Sequence, residues 1–578
     1  MLTEKIKQFY SKYKKGIENL LFPCVLVLYA LMNLFQGVDV TDTTYSLGNF
    51  LYFERMEGMW VISTYLSNVT GYLLTRLPFG ETLPGMNFYT GLILCILVLF
   101  AYFTLKKIMP GLAVFTGEVL AIGFCWIPTA ILYNYLTYLL FAAGLLLLYM
   151  GTVKSKNIFL FGAGICLGLN TMVRIPNLTE CALILGLWLY LFLKKEKLPV
   201  ILKKTGICIL GYLIGFGIPF LAVLIQYGFG SFLKMIESLS AIKEVDATYS
   251  PLSMVTRVIS AYAHSFKWFL ILVLGFIGAG FLFSLMKEKL LVIKKLLCLL
   301  EIVLIIRFFW GRGMFTFRYY EDYTSMYEWG MIGLFLSLVA CMVMLFCRHY
   351  TEEQKLLALL SLLVLVVTPL GSNNYTCQNL NNLFIVAPVT VWFYASLMLH
   401  VKKENAFTVR AFLIAVFGMI LVQSIGFHCN FVFRDGMQGE KRTATVTETA
   451  SADGMKTNPE NAETLMGISR FCRENGLTGQ DTLFFGNVPG LSFLLKMPFA
   501  ISSAWPDLDS YSVTQMEEEM EAYQTIHNTD IPVIITAEVE NPSKWCLEKE
   551  DILLDYISQR HYTMTYSNEK YKVYVPQE

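Results

Sequence analysis

The chain has 578 residues, 55% hydrophobic and only 15% charged, with a mean hydropathy of +0.54 and a formal net charge of +1. A water-soluble fold of this length has too little interior for so much apolar surface, so much of it faces lipid. A net charge near zero, with no basic tail and no zinc-ligand spacing, gives no electrostatic footprint for nucleic acid.

Lys5, Lys7, Lys12, Lys14 and Lys15 precede the first apolar run, 20–37. No small-residue cleavage site follows and further spans do, so this run reads as an uncleaved anchor. Further runs lie at 87–105, 112–128, 131–151, 157–173, 178–193, 205–227, 268–286, 290–308, 326–347, 354–370, 383–400 and 411–428, about thirteen in all. Each approaches the ~20 residues that a bilayer-spanning helix requires. Basic residues fall in alternate loops: Lys106 and Lys107, Lys154 and Lys156, the 194–204 cluster, 287–295, Arg348 with Lys355, and Lys402, Lys403 and Arg410. The positive-inside rule puts these loops and the N-terminus in the cytoplasm and the C-terminal tail outside. Most of the 13 cysteines lie in apolar runs, where they act as small hydrophobes, and the lack of a CxxC pair argues against a thiol redox or zinc site. Cys377 and Cys429 are candidates for a disulfide if both lie outside.

The organisation expected is therefore a polytopic α-helical membrane protein of about thirteen spans over 1–429, a polar linker at 430–461, and an exoplasmic α/β domain at 462–578. In the tail, a helix over 462–475 ends at Gly476. Strands follow at 481–485 and 531–536 around a charged helix at 513–526, and a hairpin pairs 562–566 with 570–575. Four outer loops are long or polar: 38–86, 228–267, 309–325 and 371–382.

The first outer loop holds Asp39 and Asp42 where the chain leaves the membrane, then aromatics at Tyr45, Phe50, Tyr52, Phe53, Trp60 and Tyr65 suited to the lipid–water interface. A carboxylate beside a membrane has its pKa raised toward a range useful for a base. Asp42 is equally a helix N-cap before Thr43-Thr44-Tyr45, and Asp39 equally a solvated loop residue. Glu54, Arg55 and Glu57 read as a solvated helix face. Arg174, the sole charge between two spans, suits bidentate phosphate contact or snorkelling to headgroups. Arg312 and Arg318, beside Glu321 and Asp322, form either a second anion site or an internally paired loop. His264 and Lys267 are weaker candidates. The amide-rich run 371–382, with Asn374 and Asn379, either bonds sugar hydroxyls or is an ordinary polar loop. Gly486-Asn487-Val488-Pro489-Gly490 lacks a phosphate-loop lysine and is given no nucleotide role.

The acidic first outer loop (Asp39, Asp42), the amphipathic segments within it, and the Arg174-Ile175-Pro176-Asn177 turn together resemble the GT-C superfamily of membrane glycosyltransferases. The thirteen-span plan with an exoplasmic α/β tail also resembles several of its branches, including the protein mannosyltransferase-like and aminoarabinose transferase-like ones. The resemblance implies sugar transfer from a polyprenyl-phosphate donor to a glycan or lipid acceptor on the outer face of a bacterial plasma membrane. It implies that Asp42 first, or Asp39 second, acts as general base or orients the acceptor; Arg174, with Arg312 or Arg318, is read from its own chemistry as contacting the donor phosphate. No adjacent Asp-Glu dyad is present, Trp505-Pro506-Asp507 only echoes a WWD motif, and the short second outer loop near 127–131 has no acid. No cofactor is implied, with a divalent metal left open. Two other classes share the membrane pattern: a transporter or lipid-linked-sugar flippase, and a non-catalytic envelope assembly protein. The absence of a convincing internal repeat and the clustering of candidate charges at one face favour the enzyme.

Overall fold

The computed structural model describes residues 2–56, 58–125, 130, 132–245, 250–285, 290–317, 323–401, 406–435, 441–527 and 531–577. Glu57, Arg318, Glu321, Asp322 and nearly all of the second outer loop lie outside these. The first part of the chain is helical: α1 (Leu2–Gly16), α2 (Phe22–Ala30), α3 (Asp42–Leu51), α4 (Gly58–Ser63), α5 (Tyr65–Thr75), α6 (Leu83–Leu105), α7 (Gly111–Phe124), α8 (Leu132–Val153) and α9 (Asn157–Val173). A 3-10 segment, Ile175–Leu183, leads into α10 (Ile184–Leu193). Then come α11 (Leu198–Val245), α12 (Pro251–Leu285), α13 (Leu291–Gly311), α14 (Thr324–Phe346), α15 (Glu352–Val367), α16 (Tyr375–Asn381), α17 (Val386–His400) and α18 (Ala406–Asn430).

Every apolar run read from the sequence carries helix. Among the described residues, seven helices are long and apolar enough to cross a membrane, or eight when α16 and α17, bent by 75°, count as one. The remainder fall short for visible reasons. The helices α7 and α9 are apolar but short, α2 stops at Ala30, and α13 carries Lys294, Lys295, Glu301 and Arg307. The polar segment 228–267 is largely a continuation of α11 and α12, broken within α11 at Gly228 with φ 77°.

Lipid supplies no hydrophobic drive between helices, so close packing falls to small residues. Gly164 and Gly168 on α9 face Gly211 and Gly215 on α11. A Cβ at these four positions would meet the carbonyl oxygens of Cys208, Tyr212, Phe161 and Ile165 at 2.1, 2.2, 2.1 and 2.3 Å. The two backbones touch along two turns. Elsewhere ends are set by local chemistry: Thr82 accepts from Gly85 N at the start of α6, and Thr351 and Gln354 form a reciprocal capping box on α15.

The region read as a linker contains a short antiparallel ladder, β1 (Ala444–Thr445) with β2 (Lys456–Thr457). The tail follows as α19 (Pro459–Glu474), β3 (Thr482–Phe485), α20 (Leu491–Leu494), α21 (Val513–His527), β4 (Val533–Ala537), α22 (Lys544–Gln559), β5 (Tyr562–Ser567) and β6 (Tyr571–Pro576). Its sheet runs β3-β4-β6-β5, with β3 parallel to β4 and the other pairs antiparallel. The expected strands and hairpin are present within a residue or two; α20 and α22 were not foreseen. All thirteen cysteines are free, Cys377 buried and Cys429 exposed, so the suggested disulfide is absent.

The first loop and the tail share one apolar cluster. Val38, Leu47 and Phe50 pack in it with Leu465, Ile468, Leu491, Phe493 and Leu495. At roughly 1.5–3 kcal/mol per buried Leu or Phe side chain, this contact holds the two segments together.

Candidate active site

The membrane helices that precede the first loop and the tail end side by side. Asn33 Nδ2 donates to His428 O at 2.5 Å, and His428 Nε2 lies 2.8 Å from Tyr29 O. Beyond them, Lys456 N donates to Phe35 O and Gly37 N to Lys456 O. Gly37, at φ 86°, leaves 2.1 Å between its would-be Cβ and Val432 Cγ1, so no side chain fits the crossing.

Asp435 joins three segments. Its buried carboxylate accepts from Val38 N at 2.9 Å and Thr457 Oγ1 at 2.7 Å, with Asn461 Nδ2 at 3.3 Å. Burial pushes its pKa up, while these donors and Arg442 pull it down. Arg442 donates to Asp435 O at 3.1 Å and to Asn430 O, tying the same hub to the end of α18.

Asp39 is 4% exposed and fully used. Thr41 N and Oγ1 donate to its Oδ1 at 2.9 and 2.5 Å, and Thr43 N to its Oδ2 at 2.9 Å. It therefore closes the N-terminus of α3, the role the sequence offered to Asp42. Asp42 instead opens α3, with its side chain 35% exposed and Arg434 Nη1 3.6 Å from Oδ2. Arg434 Nη1 also donates to Thr41 Oγ1 at 3.1 Å. Burial lifts the Asp42 pKa from 3.8 to about 6, with Arg434 pulling it down and Asp39 pushing it up. Farther along α3, Tyr45 meets the Trp505 ring edge-on at 5.3 Å.

A cavity of about 810 Å³ opens between the first loop, the segment after α18 and the tail. Asp39, Arg434, Asn461, Asn487, Glu538 and Lys570 are among its lining residues. Burial lowers the Lys570 pKa against the opposing pull of Glu460, Asp435 and Asp39. Glycine is required at Gly490, where Gly490 N donates to Val40 O and a Cβ would lie 1.8 Å from Thr44 Oγ1. The loop 486–490 thus docks the tail on α3. In the Trp505-Pro506-Asp507 stretch, Asp507 accepts from Asn487 N at 2.7 Å, and the buried Lys549 ammonium donates to the carbonyls of Pro506, Leu508 and Tyr511. These bonds shape the turn itself.

Of the described candidates, Asp39 alone is among the lining residues; Asp42 adjoins the cavity through its contact with Arg434. Arg174 donates through Nη2 to Gly371 O and lies 6.0 Å over the Tyr133 ring. It borders a much smaller space with Asn177, Glu180, Gln378 and Asn382. Arg312 is exposed, 5.4 Å over Phe308. His264 and Lys267 are exposed on α12, the latter over Trp268. Asn374 is exposed before α16, whereas Gln378, Asn379, Asn381 and Asn382 are buried. Most of the amide-rich run is therefore interior packing. Among the described residues, no group of three or more His, Cys, Asp or Glu side chains is placed to hold a metal ion. Arg434 and Asp435 escaped the sequence reading because they stand just beyond the last apolar run; a charge pair flanking a span was the only available signal.

No protein-family model and no curated protein matches the chain. Among solved structures, it is similar to the Archaeoglobus fulgidus oligosaccharyltransferase in complex with Zn and sulfate, with a TM-score of 0.47 and 11% identity over 96% of this chain and 73% of that one. It is also similar to the archaeal oligosaccharyltransferase AglB from Archaeoglobus fulgidus in complex with an inhibitory peptide and a dolichol-phosphate, with a TM-score of 0.45 and 10% identity over 91% of this chain and 70% of that one. At such identities and scores these similarities add no substrate and no residue role.

Proposed function

We propose that the protein is an integral membrane glycosyltransferase of the GT-C kind, moving a sugar from a polyprenyl-phosphate donor to a hydroxyl-bearing glycan or lipid acceptor at the outer face of the membrane. The observation that carries this reading is Asp42: a partly exposed carboxylate at the exit of the first membrane run, beside Arg434, which with Thr41 lines a large polar cavity. Its pKa near 6 leaves it mostly ionised at neutral pH yet more basic than an ordinary carboxylate. In this reading Asp42 removes the acceptor's proton. The acceptor oxygen then attacks the anomeric carbon, and the bond to the phosphate oxygen breaks with its electron pair staying on the phosphate. Asp39 supports the reaction by fixing the start of α3. Arg174, at the end of α9, borders a separate and smaller space and is given no part in this step.

The test is release of label from a polyprenyl-phosphate sugar by membranes containing the protein. Asp42→Asn is expected to lower turnover by ~10²–10⁴-fold, the usual contribution of a positioned base, with unchanged thermal unfolding. Normal turnover in this variant rules out the assignment. Movement of intact donor across the bilayer without release of label supports the flippase class instead.

A further inference from the structure

Arg434 follows α18 directly, where the chain leaves the last membrane helix, and its guanidinium is 44% exposed. It lies 5.3 Å over the Phe433 ring and lines the cavity that also contains Asp39 and Lys570. Its backbone has φ 48°, a left-handed conformation uncommon for a residue with a side chain. The surroundings hold it there: Val432 is packed on Gly37 and Asp435 is bonded to Val38 and Thr457. The side chain makes one hydrogen bond, from Nη1 to Thr41 Oγ1 at 3.1 Å, and its contact with Asp42 is long. A charge-assisted N–H···O contact normally closes to about 2.7–2.9 Å, whereas Arg434 Nη1 stands 3.6 Å from Asp42 Oδ2.

Other cations are less available to an arriving anion at this place. Arg174 is engaged by Gly371 O and borders a separate space. Lys570 shares the cavity but bonds Asn461 Oδ1 at 3.4 Å and sits among Glu460, Asp435 and Asp39. Arg434 is also the cation already touching the carboxylate that must be free to accept a proton. A guanidinium has five N–H donors in a planar fork, a geometry matched to phosphate oxygens.

We propose that Arg434 receives the phosphate of the lipid-linked donor, and that phosphate binding there draws the guanidinium off Asp42, arming the carboxylate only when donor is present. This rests on the reading of Asp42 as the base. The step balances: the acceptor hydroxyl gives its proton to Asp42 and its oxygen bonds to the anomeric carbon. The carbon–oxygen bond to phosphate breaks, and the electron pair stays on the phosphate oxygen facing Arg434. With the phosphate held, Asp42 loses the neighbouring positive charge that keeps it weakly basic, so its proton affinity rises as the acceptor is engaged.

The experiment measures binding of a polyprenyl phosphate to the purified full-length protein, with the matching polyprenol and inorganic phosphate as comparison ligands. Wild type is expected to bind the polyprenyl phosphate at least about tenfold more tightly than the polyprenol, the scale of one or two hydrogen bonds to a charged group. Arg434→Ala is expected to lose that difference, and Arg434→Lys to keep part of it. Asp42→Asn, which frees Arg434 from its carboxylate, is expected to bind the polyprenyl phosphate as tightly as wild type or more so. Unchanged binding by Arg434→Ala overturns the assignment, even where Asp42→Asn abolishes turnover and the base reading stands. Weaker binding by Asp42→Asn overturns the exchange. Equal binding of phosphate and polyprenol by wild type overturns both the assignment and the donor class. Should Arg434→Ala unfold, Arg434→Lys decides: wild-type affinity without loss of the phosphate preference for inorganic phosphate and lipid alike counts against a guanidinium fork.

Discussion

At the scale of single residues, the two acids of the first loop divide the work that either could have done. Asp39 turns inward and accepts three hydrogen bonds from Thr41 and Thr43, while Asp42, on the first turn of α3, remains partly exposed beside Arg434. Their difference has a consequence for pH. In the proposed mechanism an ionised base is required, so kcat/KM, which reports the donor-free enzyme, is expected to rise with pH through about 6 and level off above it. Arg434 lowers the Asp42 pKa, so in Arg434→Ala the same limb is expected at higher pH; a pH–rate profile of both proteins checks the direction. Stability runs the opposite way. A carboxyl whose folded pKa is raised binds its proton more readily when folded, so wild type gains stability relative to Asp42→Asn as pH falls through 6 toward 4. The sequence showed two acids at a membrane exit and even offered a capping role, but assigned the cap to the wrong one. Backbone direction at Thr41, rather than residue type, decides which carboxylate meets the free N–H groups.

At the scale of elements, helix periodicity and the turn residues were readable; the tail strands fall close to the expected boundaries, whereas α11 and α12 run well past theirs and α2 stops short. Which helices touch depends on small residues distributed over segments far apart in sequence. The contact of α9 with α11 is the clearest instance, because Gly168 and Gly215 each face backbone atoms that cannot move aside. Gly168→Val is expected to lower stability by about 1–3 kcal/mol or more through overpacking, seen as a lower thermal midpoint in detergent. Gly162→Ala, whose added Cβ would stand an ordinary 3.5 Å from Leu147 Cδ1, is expected to change little. The amide-rich stretch taught the converse point. Its polarity suggested sugar binding, yet the bend between α16 and α17 turns most of its side chains inward. Hydrogen bonds such as Tyr138 OH to Gln378 Oε1 at 3.2 Å use them inside the protein.

At the scale of the whole molecule, the proposed site is composite. The first loop contributes Asp39 and Asp42, the segment after α18 contributes Arg434 and Asp435, and the tail contributes Lys570 and the docking loop 486–490. Contacts among the three join segments far apart in the chain, 397 residues in the case of Val38 and Asp435. In the orientation proposed from the alternating lysines, this assembly lies opposite the 194–204 loop. An added protease is therefore expected to cut the tail of intact cells or right-side-out vesicles while sparing a tag inserted in the 194–204 loop, and the reverse in inverted vesicles. Cleavage of both from one side contradicts the proposed orientation.

The sequence by itself determined the membrane class, the approximate helices, the α/β tail and the two acids, because each is a local consequence of apolar run length, periodicity and turn chemistry. Only the tertiary structure decided which acid caps the helix, which arginine faces the other, and that a loop near residue 40 and a tail beyond residue 430 enclose one cavity. Those outcomes depend on long-range packing and hydrogen bonds, such as the grip of Asp435 on Val38 and Thr457, and no local pattern of residues encodes them.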